Sequence, residues 1–244
     1  MMKRISTMLL ICSCTMAYAG DIKWQDFENN AYLGLAYSTN KQSVQNIGDS
    51  SSGSIAPDFG VTALFDNHVW ANFQMNANFL NNNKFVGNWL YGATKIGYSL
   101  QQTRDFNFIP YAILGYGNNG AYYTNTNTLS YGVGMLSEYG ITSNYLAYID
   151  VNYQWQNFGS GISQDFSTTA LGGLSQYNLT GTPYTYGIEL GGKWITQSGL
   201  YINPFIKYNG YQQQFSAGTG VVSYGTLTPE VSQFQLGINV GLTI

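Results

Sequence analysis

The segment QFQLGINVGLTI at 233–244 places a large apolar side chain at every second position. Successive side chains of an extended strand point to opposite faces. Phe234, Leu236, Ile238, Val240, Leu242 and Ile244 therefore share one face, and Gln233, Gln235, Asn239 and Thr243 the other. A half-buried strand of a soluble sheet alternates in the same way, so one such segment leaves the fold open.

The pattern constrains the chain because it recurs. Ala31, Leu33, Leu35 and Tyr37 share one face, and so do Phe59, Val61, Ala63 and Phe65. The third segment sets Val69, Ala71, Phe73, Met75, Ala77 and Phe79 against Trp70, Asn72, Gln74, Asn76 and Asn78; the fourth sets Leu90, Thr94, Ile96, Tyr98 and Leu100 against Tyr91, Ala93, Lys95 and Ser99. The fifth, 106–116, is apolar in both phases, which leaves its orientation undecided, and the sixth runs over 129–140. The seventh opposes Tyr145, Ala147, Ile149, Val151, Tyr153 and Trp155 to Asp150, Asn152 and Gln154. The eighth sets Tyr184, Tyr186, Ile188, Leu190 and Trp194 against Glu189 and Lys193, and the ninth sets Ile202, Pro204, Ile206 and Tyr208 against Asn203, Lys207 and Asn209. With the C-terminal segment the expected strands number ten.

The links alternate as well. Those at 66–68, 101–105, 141–144 and 197–199 are short and turn-rich, as in antiparallel hairpins. Those at 39–55, 80–88, 117–128, 156–182 and 211–230 are longer and rich in Asn, Ser, Gly and Thr. Even strand number, about ten residues per strand, short turns on one side and long loops on the other are the signature of an outer-membrane barrel. We therefore expect an all-β fold: a closed antiparallel transmembrane β-barrel of about ten strands, with eight or twelve as alternatives, short periplasmic turns and long extracellular loops. In hydrocarbon an unpaired backbone N–H or C=O costs several kcal/mol, so a sheet enters a bilayer only with its edges joined. Aromatics fit two interfacial girdles: Phe65, Phe106, Tyr145 and Trp194 near the short turns, and Tyr37, Phe79, Trp155 and Tyr184 near the long loops. A soluble β-sandwich also spaces strands closely, but it does not explain why the mid-strand charges fall opposite the apolar phase.

Composition agrees. Charged residues make up 9% and aromatics 16%, against roughly 25% charged in ordinary soluble domains. After residue 20 no apolar run approaches the roughly 18 residues of a membrane-spanning helix. Before it, Lys3 and Arg4, the apolar run 5–16 and the Ala17-Tyr18-Ala19 site read as a cleaved export signal over 1–19, leaving 20–244 as a single barrel domain. A second processing route would acylate Cys14 within Ile11-Cys12-Ser13-Cys14. Both cysteines fall in this leader, so the mature chain has no disulfide and no thiolate metal site. Without Lys3 and Arg4, seven basic residues face twelve acidic ones, a net charge of about −5 that argues against a nucleic-acid partner.

AYLGLAY at 31–37, IPYAILGYG at 109–117, YGVGM at 131–135 and NYLAYIDVNYQWQNFG at 144–159 resemble the small outer-membrane barrels of the OmpA-like, opacity-type surface antigen superfamily. The resemblance covers most of the mature chain. It implies residence in the outer membrane of a Gram-negative cell among lipid and lipopolysaccharide, reached with periplasmic chaperones and the barrel-assembly machinery, which reads the strand from Phe234 to Ile244. The chain departs from the family in ending on Ile244, where Phe or Trp is usual. The family's common form has eight strands, so 200–208 and the last segment would be an added pair.

Site chemistry is sparse. The histidine-dependent hydrolysis known from barrels needs a group titrating near neutral pH, and the single histidine, His68, sits in a predicted short turn beside Asp66 and Asn67. We expect no catalysis, cofactor or metal. With the apolar phase on lipid, Asp58, Lys95, Glu138, Asp150, Glu189, Lys193 and Lys207 point into the lumen. Glu189 and Lys193 stand about 13 Å apart on one strand, so their partners are expected on neighbouring strands. The charges would form either a cross-barrel ion-pair and amide network or a selectivity lining that filters solutes. Barrels of about eight strands are filled by side chains, and water channels open at about sixteen. Ten strands, with Trp70, Tyr91 and Tyr148 also inward, point to a plugged barrel or one narrow passage. The loops at 156–182 and 211–230 carry Phe158, Phe166, Tyr177, Phe215 and Tyr224 as candidates for contact with a host or surface ligand.

Overall fold

A computed structural model of the chain describes residues 22–44, 48–80, 89–121, 124–158, 176–179, 184–212, 215–219, 222–227 and 229–244. The expected leader and cleavage site lie outside them. A short helix, α1 (Trp24–Glu28), precedes β1 (Asn30–Val44), β2 (Gly48–Leu64), β3 (Val69–Leu80), β4 (Trp89–Tyr98), β5 (Leu100–Thr103), β6 (Phe106–Ala121), β7 (Thr124–Thr142) and β8 (Tyr145–Phe158). They are followed by β9 (Gln176–Leu179), β10 (Tyr184–Ile195), β11 (Leu200–Gln212), β12 (Phe215–Thr219), β13 (Val222–Leu227) and β14 (Pro229–Thr243).

The sheet runs β4-β3-β2-β1-β14-β11-β10-β8-β7-β6, all neighbours antiparallel, and β4 pairs with β6 to close the ring. Since β5 only continues β4 past Ser99 against β6, the barrel has ten staves, as the alternation predicts. Closure joins β1 to β14 over the whole length of both, Asn30 opposite Thr243 and Val44 opposite Pro229. The alternation sorts as expected. Leu33 and Leu242 are 69% and 60% exposed, and Phe234, Leu236, Ile238, Val240 and Ile244 lie on the same outer surface. From Phe234 to Ile244 the strand advances ten residues, about 33 Å, which at a tilt of roughly 40° gives a belt about 25 Å tall, the height of the apolar band of an outer-membrane barrel. Phe65, Tyr145 and Trp194 edge the belt at the short turns, and Tyr37, Tyr131 and Trp155 edge it at the other end. The side chain of Phe79 lies outside the described residues.

Two expected long loops are largely strand. β1 and β2 remain paired from Asn30–Thr62 to Val44–Gly48, and β6 and β7 remain paired to Ala121–Thr124, so both hairpins rise beyond the belt. The loops at 156–182 and 211–230 add no barrel stave, which removes the twelve-strand alternative. Instead β9 of the first and β12–β13 of the second pair in a separate three-stranded sheet. At the short turns the links are tight. His68 and Gly199 adopt positive φ, 65° and 78°, and only the glycine does so without steric cost.

Candidate functional site

The lumen begins at the short-turn end, which α1 plugs. Ile22, Trp24 and Phe27 are buried there against Leu64, Trp70, Ile109, Leu136 and Leu146 of the barrel wall. A five-residue helix cannot hold itself, and tertiary contacts fix this one. Gln25 donates to Asp66 Oδ1 at 2.7 Å, Leu64 N–H donates to Asn29 Oδ1 at 2.6 Å, and Ile244 N–H donates to the Asn29 carbonyl at 2.9 Å. The plug thus binds the first turn and the last residue at once.

Glu28, at the end of α1, projects into the lumen. The Trp70 indole N–H donates to its Oε2 at 2.6 Å, and Lys193 donates to its Oε1. Trp70 on β3 and Lys193 on β10 stand five staves apart in a ring of ten, so this chain of contacts spans the full diameter. Lys193 also reaches Glu138 at 2.7 Å, Asn107 donates to Glu138 at 3.0 Å, and Ser99 donates to Asn107 at 2.7 Å. Glu28, Glu138 and Asn107 are all 0% exposed. Burial pushes the Glu28 carboxyl up, but the charge of Lys193, together with hydrogen bonds from its neighbours, outweighs it and holds the group below its usual range.

Deeper in the barrel, Lys95 on β4 reaches Asp150 on β8 at 2.6 Å, passing over the Tyr111 ring at 5.0 Å, and the Tyr111 hydroxyl donates to the other carboxylate oxygen. Trp70 and Tyr111 pack with centroids 5.7 Å apart. Tyr148 donates to Glu189 at 2.7 Å, and Lys207 stands 3.4 Å from Glu189 on the paired position of the next strand. Tyr91 donates to Gln154 at 2.8 Å and contacts Ser130 at 2.9 Å.

Of the seven charged residues, Lys95, Glu138, Asp150 and Lys193 are buried, and Asp58, Glu189 and Lys207 are half-buried. The expectation of neighbouring-strand partners holds for Glu189, with Lys207, and fails for Lys193. Barrel curvature carries Lys193 to Glu138, two staves away, and to the plug. Glu28 carried no periodic signal and escaped sequence reasoning. His68 lies in the β2–β3 turn with its ring 5.9 Å from Tyr98, at the opposite end from the long loops. No group of three or more His, Cys, Asp or Glu residues placed to hold a metal occurs among the described residues.

The fold is that of outer-membrane barrels. It is similar to the outer membrane protease OmpT of Escherichia coli, with a TM-score of 0.54 at 8% identity over 88% of this chain and 96% of that one. Outer membrane protein OprG of Pseudomonas aeruginosa aligns with a TM-score of 0.43 at 12% identity, over 92% and 100% of the two chains. Neisserial surface protein A aligns with a TM-score of 0.33 at 11% identity, over 88% and 97%. Neither a family model nor a curated protein matches the sequence. At these identities the likeness is one of fold.

Proposed function

We propose that this chain is an integral outer-membrane protein of a Gram-negative cell, of the OmpA-like, opacity-type kind, with a closed lumen and no catalytic role. Its work lies in its loops, which contact a surface or ligand outside the cell. The observation that carries the reading is the Trp70–Glu28–Lys193 crossing beneath α1, which occupies the diameter of the lumen at its short-turn end. A barrel filled in this way serves as a rigid stand, and the joining of the two longest loops through β9, β12 and β13 supports a shared contact surface above it. The purified barrel in planar bilayers is expected to show no discrete single-channel steps; steps altered by Lys95 or Glu189 substitutions would reject the closed lumen. Deleting 159–175 or 220–221 with flanking strands should abolish attachment to the contacted surface, and unchanged attachment would reject the contact role.

A second reading, a narrow passage for ions or small polar solutes, is favoured by one observation. A polar cavity of about 30 Å³ lies between β1, β2, β3, β10, β11 and β14, on the long-loop side of the crossing, whose residues do not line it. The same conductance measurement separates the two.

A further inference from the structure

The charges of the lumen leave one acid over. Lys95 pairs with Asp150, Lys207 with Glu189, and Lys193 with Glu28 and Glu138, whereas no ion pair reaches Asp58 among the described residues. The Oδ1 of Asp58 is buried and meets no protein donor, and the same is true of Oδ1 of Asn76 and of Asn239. These three residues share one rung of the barrel: Asn76 is paired with Asp58, Asp58 with Gly34, and Gly34 with Asn239. All three line the same cavity, together with Glu189 and Lys207.

The orientation of Asn239, which is only 5% exposed, is fixed by its neighbours. Asn203 donates its amide N–H groups to the Gly192 carbonyl at 3.0 Å and to Tyr148 at 3.1 Å, which turns its Oδ1 towards Asn239. Asn239 donates to that oxygen at 3.0 Å, so its own Oδ1 points the other way, over Gly34 towards Asp58. A Cβ on Gly34 would stand 2.0 Å from Asn239 Oδ1 and 3.2 Å from Asp58 Cβ; the missing side chain is what lets the two groups approach.

Tyr32, Gln74, Gln235 and Lys207 also line the cavity, yet none of them donates to these three oxygens, and buried acceptors left without a donor are costly. A proton on Asp58, donated to Asn239 Oδ1, would satisfy two of them and leave Asn76 Oδ1 without a donor. A small cation satisfies all three at once, and it cancels the single negative charge left when Lys207 has neutralised Glu189. Ca²⁺ takes six to eight oxygens, usually with several carboxylates, more than one free carboxylate on this rung supplies. The cavity of about 30 Å³ has room for about two waters, hence for a cation and one water. We infer that Asp58, Asn76 and Asn239 form a binding site for a monovalent metal cation within the barrel wall. The inference rests on the lumen geometry alone and stands whether or not the barrel conducts.

Thallium(I), soaked into crystals of the wild-type barrel, is the direct probe. An anomalous peak at coordination distance from Asp58 and Asn239, absent in Asp58→Asn, is the expected result. A cavity holding only water, a direct short contact between Asp58 and Asn239 with no peak, or a peak that survives Asp58→Asn would overturn the site. A second measurement keeps the test decisive if Asp58→Asn does not fold. The unfolding midpoint of the wild type in NaCl or KCl should exceed that in N-methylglucamine chloride of equal ionic strength by about 5 °C at a hundredfold excess over Kd. Equal midpoints in all three salts would overturn it.

Discussion

Replacing Lys193 with Met asks whether the diametral crossing holds the barrel together or merely fills it. Methionine keeps the unbranched apolar stem and removes the ammonium between Glu28 and Glu138, both fully buried. Breaking a buried ion pair from one side costs about 3–5 kcal/mol, because the surviving charge has no partner. Here two carboxyl groups lose their common partner; sharing a site, they keep one proton between them rather than ionise together, so one stranded charge remains and Lys193→Met is expected to cost about 3–5 kcal/mol. The Trp70 and Asn107 donors remain and keep the cost from going higher. The assay is urea unfolding of the barrel in lipid vesicles, followed by the gel-mobility difference between folded and unfolded protein. Adding Glu28→Gln and Glu138→Gln to Lys193→Met removes the stranded charge yet keeps an acceptor for each donor, so the triple variant should recover most of the loss. A cost below about 1 kcal/mol for Lys193→Met, the value of an exposed pair, would refute the reasoning. So would a triple variant no more stable than the single one.

Lys207→Met should cost less in the same titration, about 1–2 kcal/mol, because the side chains of Lys207 and Glu189 are 16% and 21% exposed and Glu189 keeps the Tyr148 donor; a loss equal to that of Lys193→Met would show that the two pairs are equally dry. Leu35→Arg and Val133→Arg, on the outer surface, should each destabilise by about 2–4 kcal/mol if they sit near the bilayer midplane, whereas on a water-facing surface they would change stability by about 0.5 kcal/mol or less. Gly134→Ala puts a methyl 2.3 Å from the Tyr111 ring and should cost about 1–3 kcal/mol, a penalty that a double-mutant cycle with Tyr111→Leu would reduce. Because the folded-state pKa of Glu28 lies below its ordinary value of 4.5, its contribution is complete above that value and is lost as pH falls through the lower one. Hydrogen exchange across Trp24–Glu28, corrected for its intrinsic pH dependence, should therefore accelerate below pH 4.5 in the wild type and not in Glu28→Gln.

Alternation assigns the charges to the phase opposite the apolar one, since a period of two gives each side chain one face whatever the strands then do. It fails where both faces meet the same medium. Above the belt, 39–44 and 48–54 prolong the β1–β2 hairpin, and their mixed Ser, Asn and Gly carry no alternation and read as loop. Below, strand 106–116 is apolar in both phases, and the structure supplies the cause: Ile109, Tyr111 and Ile113 face not water but the same buried cluster that holds Trp24 and Phe27. Leu64, Leu136 and Leu146, inward near the short turns, belong to that cluster too. Inward apolar residues gathered at one end of a barrel would be costly against an aqueous lumen, and they make sense only opposite an apolar plug. The plug itself spans five residues, too few for a helical period to be read, and its Glu28 lies 165 residues from Lys193. The undecided phase of 106–116 was thus the trace left in the strands by an element that had no pattern of its own.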